Sequence, residues 1–182
     1  MENVLTRSEI LDRLHGEYER FQAGLRCLTD EQMVRPQTIR DWSVKDLLAH
    51  IIAHEQRALQ ELSMALRGER MVIDHAAVDA FNDGAVVASR PYPIEEVRRA
   101  WKRSFEAVIT AVGGLPESCF DLAHPITLVL DDSVDGALAN NTYEHYREHM
   151  ADLELAIRHF RRPGSGETTV GGSNHSGIAV TS

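Results

Sequence analysis

The sequence predicts an all-α protein: a four-helix bundle with a long crossover between its second and third helices. Four segments of the 182-residue chain place apolar residues at helical spacing. One other run has strand propensity, but it has no second run with which to pair. The segment between the second and third helices is a long connection rather than a tight turn, and this predicts the crossover.

The first helix is predicted to begin at Thr6. Thr6 and Glu9 have the spacing of a capping box, in which each residue satisfies an N–H group of the other. Pro36 and the polar residues after it separate this helix from the next one. The predicted length is about five or six turns. The apolar positions that support it are Ile10, Leu14, Phe21, Leu25 and Leu28.

The second helix is predicted from Val44 to Arg67, ending near Gly68. Ser43 is a suitable N-cap residue, and Asp46 follows it by three positions. The pattern then weakens over residues 71–93, where one short helix is predicted to cross the end of the domain. That short helix would use Val78, Phe81 and Val86.

The third helix is predicted to begin at Ile94 and to stop at the "GGLP" segment, residues 113–116. Its apolar stripe is continuous and consists of Val97, Trp101, Phe105, Val108, Ile109 and Val112. The following run "ITLVL", residues 126–130, has strand propensity. Because it lacks a partner strand, we interpret it as a buried extended connection.

The fourth helix is predicted to begin between Ser133 and Thr142 and to continue to Arg161. The bundle domain therefore covers residues 1–162. Residues 163–182 are rich in Gly, Ser and Thr and poor in apolar groups, which predicts a disordered C-terminal tail.

Composition narrows the classes of partner. The 28 acidic and 19 basic residues give a formal net charge of −9, which argues against nucleic acid. The sequence contains no run of 18 apolar residues, so no membrane span is predicted. The charged N-terminus lacks the apolar block of a signal peptide. We therefore expect a cytoplasmic monomer or homodimer. Cys27 and Cys119 lie far apart in sequence, and each is expected to be a small core residue in a reducing compartment.

Two pairs of histidines stand out. His145 and His149 are four residues apart in the fourth helix, so both leave the same face, beside the buried stripe. His50 and His54 have the same spacing in the second helix, and His50 flanks the buried side. Bundles build metal sites from inward side chains on facing helices, and three imidazoles leave a tetrahedral position free for water. Spacing alone leaves a second interpretation open, that of ordinary histidines on a packed helix.

Two segments carry a resemblance to a known family: "DWSVKDLLAHIIAHE", residues 41–55, and "NTYEHYREHMADL", residues 141–153. They resemble the DinB-like superfamily, the bundle fold of mycothiol-dependent maleylpyruvate isomerases, bacillithiol transferases and the ClbS/DfsB group. The resemblance covers roughly residues 1–162. It implies that His50, His145 and His149 bind a divalent metal ion such as Zn, Ni, Mn or Fe.

The same resemblance implies a bacterial enzyme that acts on a small electrophile as a thiol S-transferase, an isomerase or a hydrolase. Its cosubstrate would be a low-molecular-weight thiol, such as mycothiol or bacillithiol. The alternative is a non-catalytic, metal-free protein that binds or sequesters a small toxic compound, as the ClbS/DfsB group suggests.

Further candidates lie beside these histidines. His54 is not one of the usual three ligands; it could be a pocket residue, a proton carrier or simply an exposed side chain, and we favour the pocket role. Tyr143 and Tyr146 could orient substrate, and Tyr146 joins His54 as a catalytic candidate. Glu55 or Glu148 could hold an imidazole in one tautomer. The simplest interpretation of the two tyrosines and two glutamates is a solvent-exposed helix surface.

Overall fold

The computed structural model describes residues 5–39, 41–72 and 74–161, and within these ranges the protein is all-α, as predicted. Two short 3-10 helices occupy His75–Ala77 and Glu117–Phe120. None of the described helices is long and apolar enough to cross a membrane. The α-helices are α1 (Arg7–Leu25), α2 (Asp30–Met33), α3 (Val44–Leu66), α4 (Val78–Ser89), α5 (Ile94–Gly114), α6 (Pro125–Leu130), α7 (Val134–Ala139) and α8 (Tyr143–Arg161).

Helices α1 and α3 begin at the two predicted capping motifs. The Thr6 hydroxyl accepts from the Glu9 N–H, and the Glu9 carboxylate accepts from the Thr6 N–H at 2.8 Å. Ser43 and Asp46 make the same reciprocal pair at the start of α3. These local bonds satisfy N–H groups that the first turn of a helix leaves free. They explain why both N-terminal boundaries could be predicted.

Helix α8 lies between α1 and α3 and has a different orientation relative to each. It runs parallel to α1, because Glu17 binds Arg147 at 3.1 Å and Gly24 lies against Leu153 further along both helices. It runs antiparallel to α3, because His50 contacts His149 whereas Glu55, later on α3, contacts Tyr146, which comes earlier on α8. The antiparallel pairing brings the two histidine pairs to the same depth of the bundle.

Helix α5 pairs with α3 in the same direction. Lys45, near the start of α3, donates to the carbonyl of Tyr92, just before α5, at 2.9 Å. Further along, Glu55 of α3 faces Ser104 of α5. The connection between these parallel neighbours contains α4, which packs on α3. The predicted short helix in this connection is therefore present, and its Val86 is buried.

The interpretation of residues 126–130 as a buried extended connection is wrong. These residues form α6, in which Pro125 occupies the first position and the His124 imidazole accepts from the Ile126 N–H. Proline is pre-organised for that position, so a local cap outweighs the β propensity of the run. Only Ile126 of this helix is fully buried, and Leu128 is 81% exposed.

Three smaller expectations also need correction. Cys27 is exposed, because it follows the end of α1, whereas Cys119 is buried as expected. The short helix α2 was not predicted, although Thr29 and Gln32 form a third capping box. The predicted start of the fourth helix covers a separate helix, α7, and α8 begins only at Tyr143. The predicted tail, residues 163–182, lies outside the described residues.

Gly24 marks the closest approach of α1 to α8. A Cβ at this position would lie 2.7 Å from Leu153 Cδ2 and 3.1 Å from Met150 Cε. Because Leu153 is fully buried, it has little room to move. We expect Gly24→Ala to lower the free energy of unfolding by about 1–3 kcal/mol in chemical denaturation.

Gly16 provides the matched control on the same helix. It is exposed, and nothing lies within 4 Å of a Cβ built there. Gly16→Ala should instead stabilise the protein by up to about 1 kcal/mol, because alanine favours the helix. The same sign of effect at both glycines would contradict the close packing of α1 on α8.

Candidate metal centre

The structure brings His50, His145 and His149 together at the interface of α3 and α8. The Nε2 atom of His50 lies 2.9 Å from His145 Nε2 and 3.0 Å from His149 Nε2. One ligand atom from each of the three residues lies within 4.8 Å of the other two. His50 and His145 are buried, with 4% and 8% exposure, and His149 is half-buried. The arrangement has three nitrogen donors facing one point.

Neutral imidazoles alone do not satisfy this arrangement. The Nδ1 atom of His149 lies 2.9 Å from Asp152 Oδ2, so Nδ1 carries the proton and Nε2 presents a lone pair. His50 Nε2 carries either one proton or one lone pair, yet it faces two nitrogens. With His149 Nε2 unprotonated, at least one of the two short contacts is left without a proton between its nitrogens. A cation that accepts three lone pairs satisfies all of them.

The spacing of the nitrogens is compatible with a metal ion. Three nitrogens bound at about 2.0–2.1 Å in tetrahedral geometry lie about 3.3 Å apart. The two short contacts need to open by only a few tenths of an ångström to reach that separation. His50 Nδ1 is buried and has no hydrogen-bond partner among the described residues. The residues present therefore fit a divalent ion.

Burial keeps two of these imidazoles neutral. It lowers the pKa of His50 to about 3, helped by the nearby positive charge that His54 or His149 would carry. It lowers the pKa of His145 to about 2 for the same reasons. At neutral pH both rings therefore offer a lone pair.

The two carboxylates nearest the histidines, those of Asp152 and Glu148, differ in their distance from the ring and in their exposure to solvent. Asp152 is a quarter exposed and contacts His149 directly, as described above. Glu148 Oε2 lies 3.8 Å from His145 Nδ1 and its side chain is 74% exposed, so this pair is longer and mostly hydrated. Asp152 was not predicted, although its spacing of three from His149 is a signal for such a contact on a helix.

His54 lies beside the three histidines and does not belong to the group. Its ring stacks on His145 with centroids 4.1 Å apart. Its Nδ1 and Nε2 atoms lie 2.8 and 3.1 Å from the side-chain amides of Asn141 and Asn82, and a neutral ring donates to one amide and accepts from the other. Burial lowers its pKa. Both ring nitrogens are occupied by asparagine amides from two other parts of the chain, which holds the ring in the cavity wall.

Tyr146 and Glu55 are buried, which corrects the expectation of a solvent-exposed helix surface. Both are 1% exposed, and the Tyr146 hydroxyl donates to Glu55 Oε1 at 2.6 Å. Trp101 donates its indole N–H to the same hydroxyl at 2.5 Å. Burial raises the pKa of Glu55 to about 7, and burial with the nearby Glu55 raises that of Tyr146 well above its usual value. The hydroxyl faces the core and does not line the histidine cavity.

Tyr143 is also buried, and its hydroxyl donates to Asp135. Of the two tyrosines and two glutamates expected on a helix surface, only Glu148 is exposed. A sequence signal for the burial of Glu55 existed, since it continues the apolar spacing of its helix. That line runs through Leu48, Ile51, Glu55, Ala58 and Leu62.

The three histidines and His54 open into a cavity of about 660 Å³. Helix α4 forms one wall and the turn before α3 forms another. Sequence reasoning identified the histidines but none of the other lining residues. Those are Ile39, Asp41, Trp42, Val78, Asp79, Asn82, Asp83 and Asp152.

A family model described as the mycothiol maleylpyruvate isomerase N-terminal domain matches residues 14–119, more than half of the chain. This match includes α3 with His50 and α4, and it ends before α8. No curated protein and no solved structure gives a significant match.

Proposed function

Because the chain belongs to the mycothiol maleylpyruvate isomerase N-terminal domain family, within the DinB-like superfamily, we propose that it is a metal-dependent enzyme. His50, His145 and His149 would hold one divalent ion, with Zn, Ni, Mn and Fe as candidates. The reaction would add a low-molecular-weight thiol or water to a small electrophile. The thiol would stay on the product of a transferase and be released again by an isomerase, and water would be added by a hydrolase. The main support for this proposal is that three imidazole nitrogens converge and that neutral rings cannot place a proton in both of the short contacts between them.

A divalent ion bound by three neutral imidazoles would acidify a water or thiol and polarise an electrophile. The chain supplies the conditions for this chemistry. Burial keeps His50 and His145 unprotonated, and Asp152 fixes the tautomer and ring orientation of His149.

His54 is proposed to touch the substrate, and to carry a proton it would have to exchange one of its two asparagine contacts for the substrate. It lines the cavity, and its amide partners keep the ring oriented next to His145. Tyr146 is proposed as a positioning residue. Its hydroxyl is tied to α3 and α5 through Glu55 and Trp101, and this fixes the helix that carries the adjacent His145. Tyr146→Phe should then weaken metal affinity while leaving His54 and the cavity unchanged.

The proposed activity is tested with protein loaded with each candidate metal in turn. The assays follow the isomerisation of maleylpyruvate in the presence of mycothiol, the consumption of mycothiol with a small alkylating agent, and the hydrolysis of a small ester without thiol. Turnover that requires metal and is absent in His149→Ala supports an enzyme. Ligand binding without turnover, by protein that takes up no metal, would support the alternative of a metal-free binding protein.

The contact between Asp152 and His149 predicts an effect on metal affinity. Asp152→Asn removes the carboxylate that orients the ring, so we expect metal affinity to fall about 10–100-fold in chelator competition. Glu148→Gln is the matched control, because the Glu148 carboxylate lies 3.8 Å from His145 Nδ1, beyond hydrogen-bond distance, and is mostly hydrated. The control should change affinity by only a few-fold. Equal losses in both variants would show that overall charge, rather than ring orientation, sets the affinity.

A further inference from the structure

Among the residues that the structure describes, the Asp, Glu, Lys and Arg side chains that line the histidine cavity are all aspartates. Four aspartates line it, Asp41, Asp79, Asp83 and Asp152, and no Lys or Arg does so within the described part of the chain. Asp152 is engaged with His149. The other three are exposed and form no hydrogen bond or ion pair with any described residue.

The cavity is lined by the turn before α3, by α3, by α4 and by α8, and all of these except α3 contribute an aspartate. Asp41 precedes α3, and Asp79 and Asp83 are one turn apart on α4. Asp79 lies in the first turn of α4, where a carboxylate favours the helix, whereas the like charge of Asp83 one turn later weakens it slightly. Buried His50 lines the same cavity, and its Nε2 faces the nitrogens of His145 and His149, which neutral imidazoles alone leave without enough protons.

We propose that the substrate of this site carries a positively charged amine, held by Asp41, Asp79 and Asp83 while its reacting part faces the histidines. Clefts lined by one sign of charge concentrate ligands of the opposite sign. The ring of Trp42 lines the same cavity and offers a second favourable surface to a cation. A bound divalent ion would offset charge at the histidine end and leave the outer carboxylates to act on the rest of the ligand.

This inference rests on the proposed function in taking the histidine cavity as the substrate site. It narrows the substrate class, because a dicarboxylate such as maleylpyruvate would be repelled by the three outer aspartates. Among the described lining residues, nothing provides the arginine or lysine that carboxylate recognition normally uses.

The test uses three probes of matched size and different charge: benzylamine, benzyl alcohol and benzoate. Binding to chelator-treated and zinc-loaded protein is measured by isothermal titration calorimetry. We expect benzylamine to bind the chelator-treated protein at least about tenfold more tightly than benzoate, with benzyl alcohol between them. The preference should shrink as salt is raised, because exposed charges are screened.

Two variants separate the aspartates from general charge. Asp79→Asn/Asp83→Asn should reduce the ratio of benzylamine to benzoate affinity by about threefold or more. Asp12→Asn, an exposed change on α1, should leave that ratio unchanged. A ratio that is the same in the double variant and wild type, tighter binding of benzoate by wild type, or no binding of any probe at millimolar concentration would each overturn the inference.

Metal content is measured on the same samples and decides the proposed function separately. Protein that takes up no metal but keeps its preference for benzylamine would retain this inference and remove the enzyme proposal. Protein that binds metal and prefers benzoate would do the reverse.

Discussion

Replacing His149 with alanine is expected to lower metal affinity by at least about 100-fold while leaving the helices folded. The change removes one of three nitrogen donors and leaves Asp152 without its partner. Helix α8 keeps its packing through Leu153, Ala156 and Ile157, which are buried further along. The free energy of unfolding of the metal-free protein should therefore change by less than about 1 kcal/mol. Affinity is measured by chelator competition and folding by circular dichroism.

His54→Gln is the matched control for this variant. It alters a histidine in the same cavity that stacks on His145 but does not face the other nitrogens. This control should bind metal with nearly wild-type affinity. If His149 is instead an ordinary packed histidine, His149→Ala would destabilise the protein by about 1–3 kcal/mol with no metal to lose.

The second large effect is expected at Glu55. Its pKa is about 7 in the folded protein, against the ordinary value of 4.5. Between these values the folded state binds more protons than the unfolded state, so stability falls as pH rises from about 4.5 to about 7. At about 1.4 kcal/mol per pKa unit, the total loss is about 3 kcal/mol. Above pH 7 the protein contains a buried carboxylate whose one short hydrogen bond from the described residues comes from Tyr146.

Glu55→Gln removes this titration and keeps the size of the side chain. Its amide oxygen can still accept from Tyr146. We expect the variant to be more stable than wild type by up to about 3 kcal/mol at pH 8, and nearly equal to it at pH 4. Urea denaturation across this range measures the difference. Glu19→Gln, an exposed change on α1, should give a plot of unfolding free energy against pH that is parallel to that of wild type. A parallel plot for Glu55→Gln would contradict the raised pKa of Glu55.

The sequence contained most of the information on the long helices. Capping boxes at Thr6 and Ser43 are local signals, and apolar spacing defined α3 and α5 closely. The run at residues 126–130 was misjudged, because strand propensity depends on neighbours that a single segment does not show. Proline at the first position of α6 was the better signal.

The histidine cluster was predicted in part from spacing and in part from resemblance. Spacing puts His145 and His149 on one face of their helix, but only the antiparallel contact of α3 with α8 brings His50 to them. The partners of His54 could not be predicted, because Asn82 comes from α4 and Asn141 from the turn before α8. The aspartates of the cavity look like ordinary surface charges until the fold gathers them around one space.

The central claim is that His50, His145 and His149 bind one divalent ion. It is tested most directly by elemental analysis of wild-type protein and His50→Ala, both dialysed against micromolar zinc and then against buffer. His50 is the nitrogen donor that both other histidines contact, so its loss removes the common partner of the group. The structure predicts close to one ion per wild-type chain and close to none in the folded variant. Equal metal content in the two proteins, or no retained metal in wild type, would contradict the metal centre.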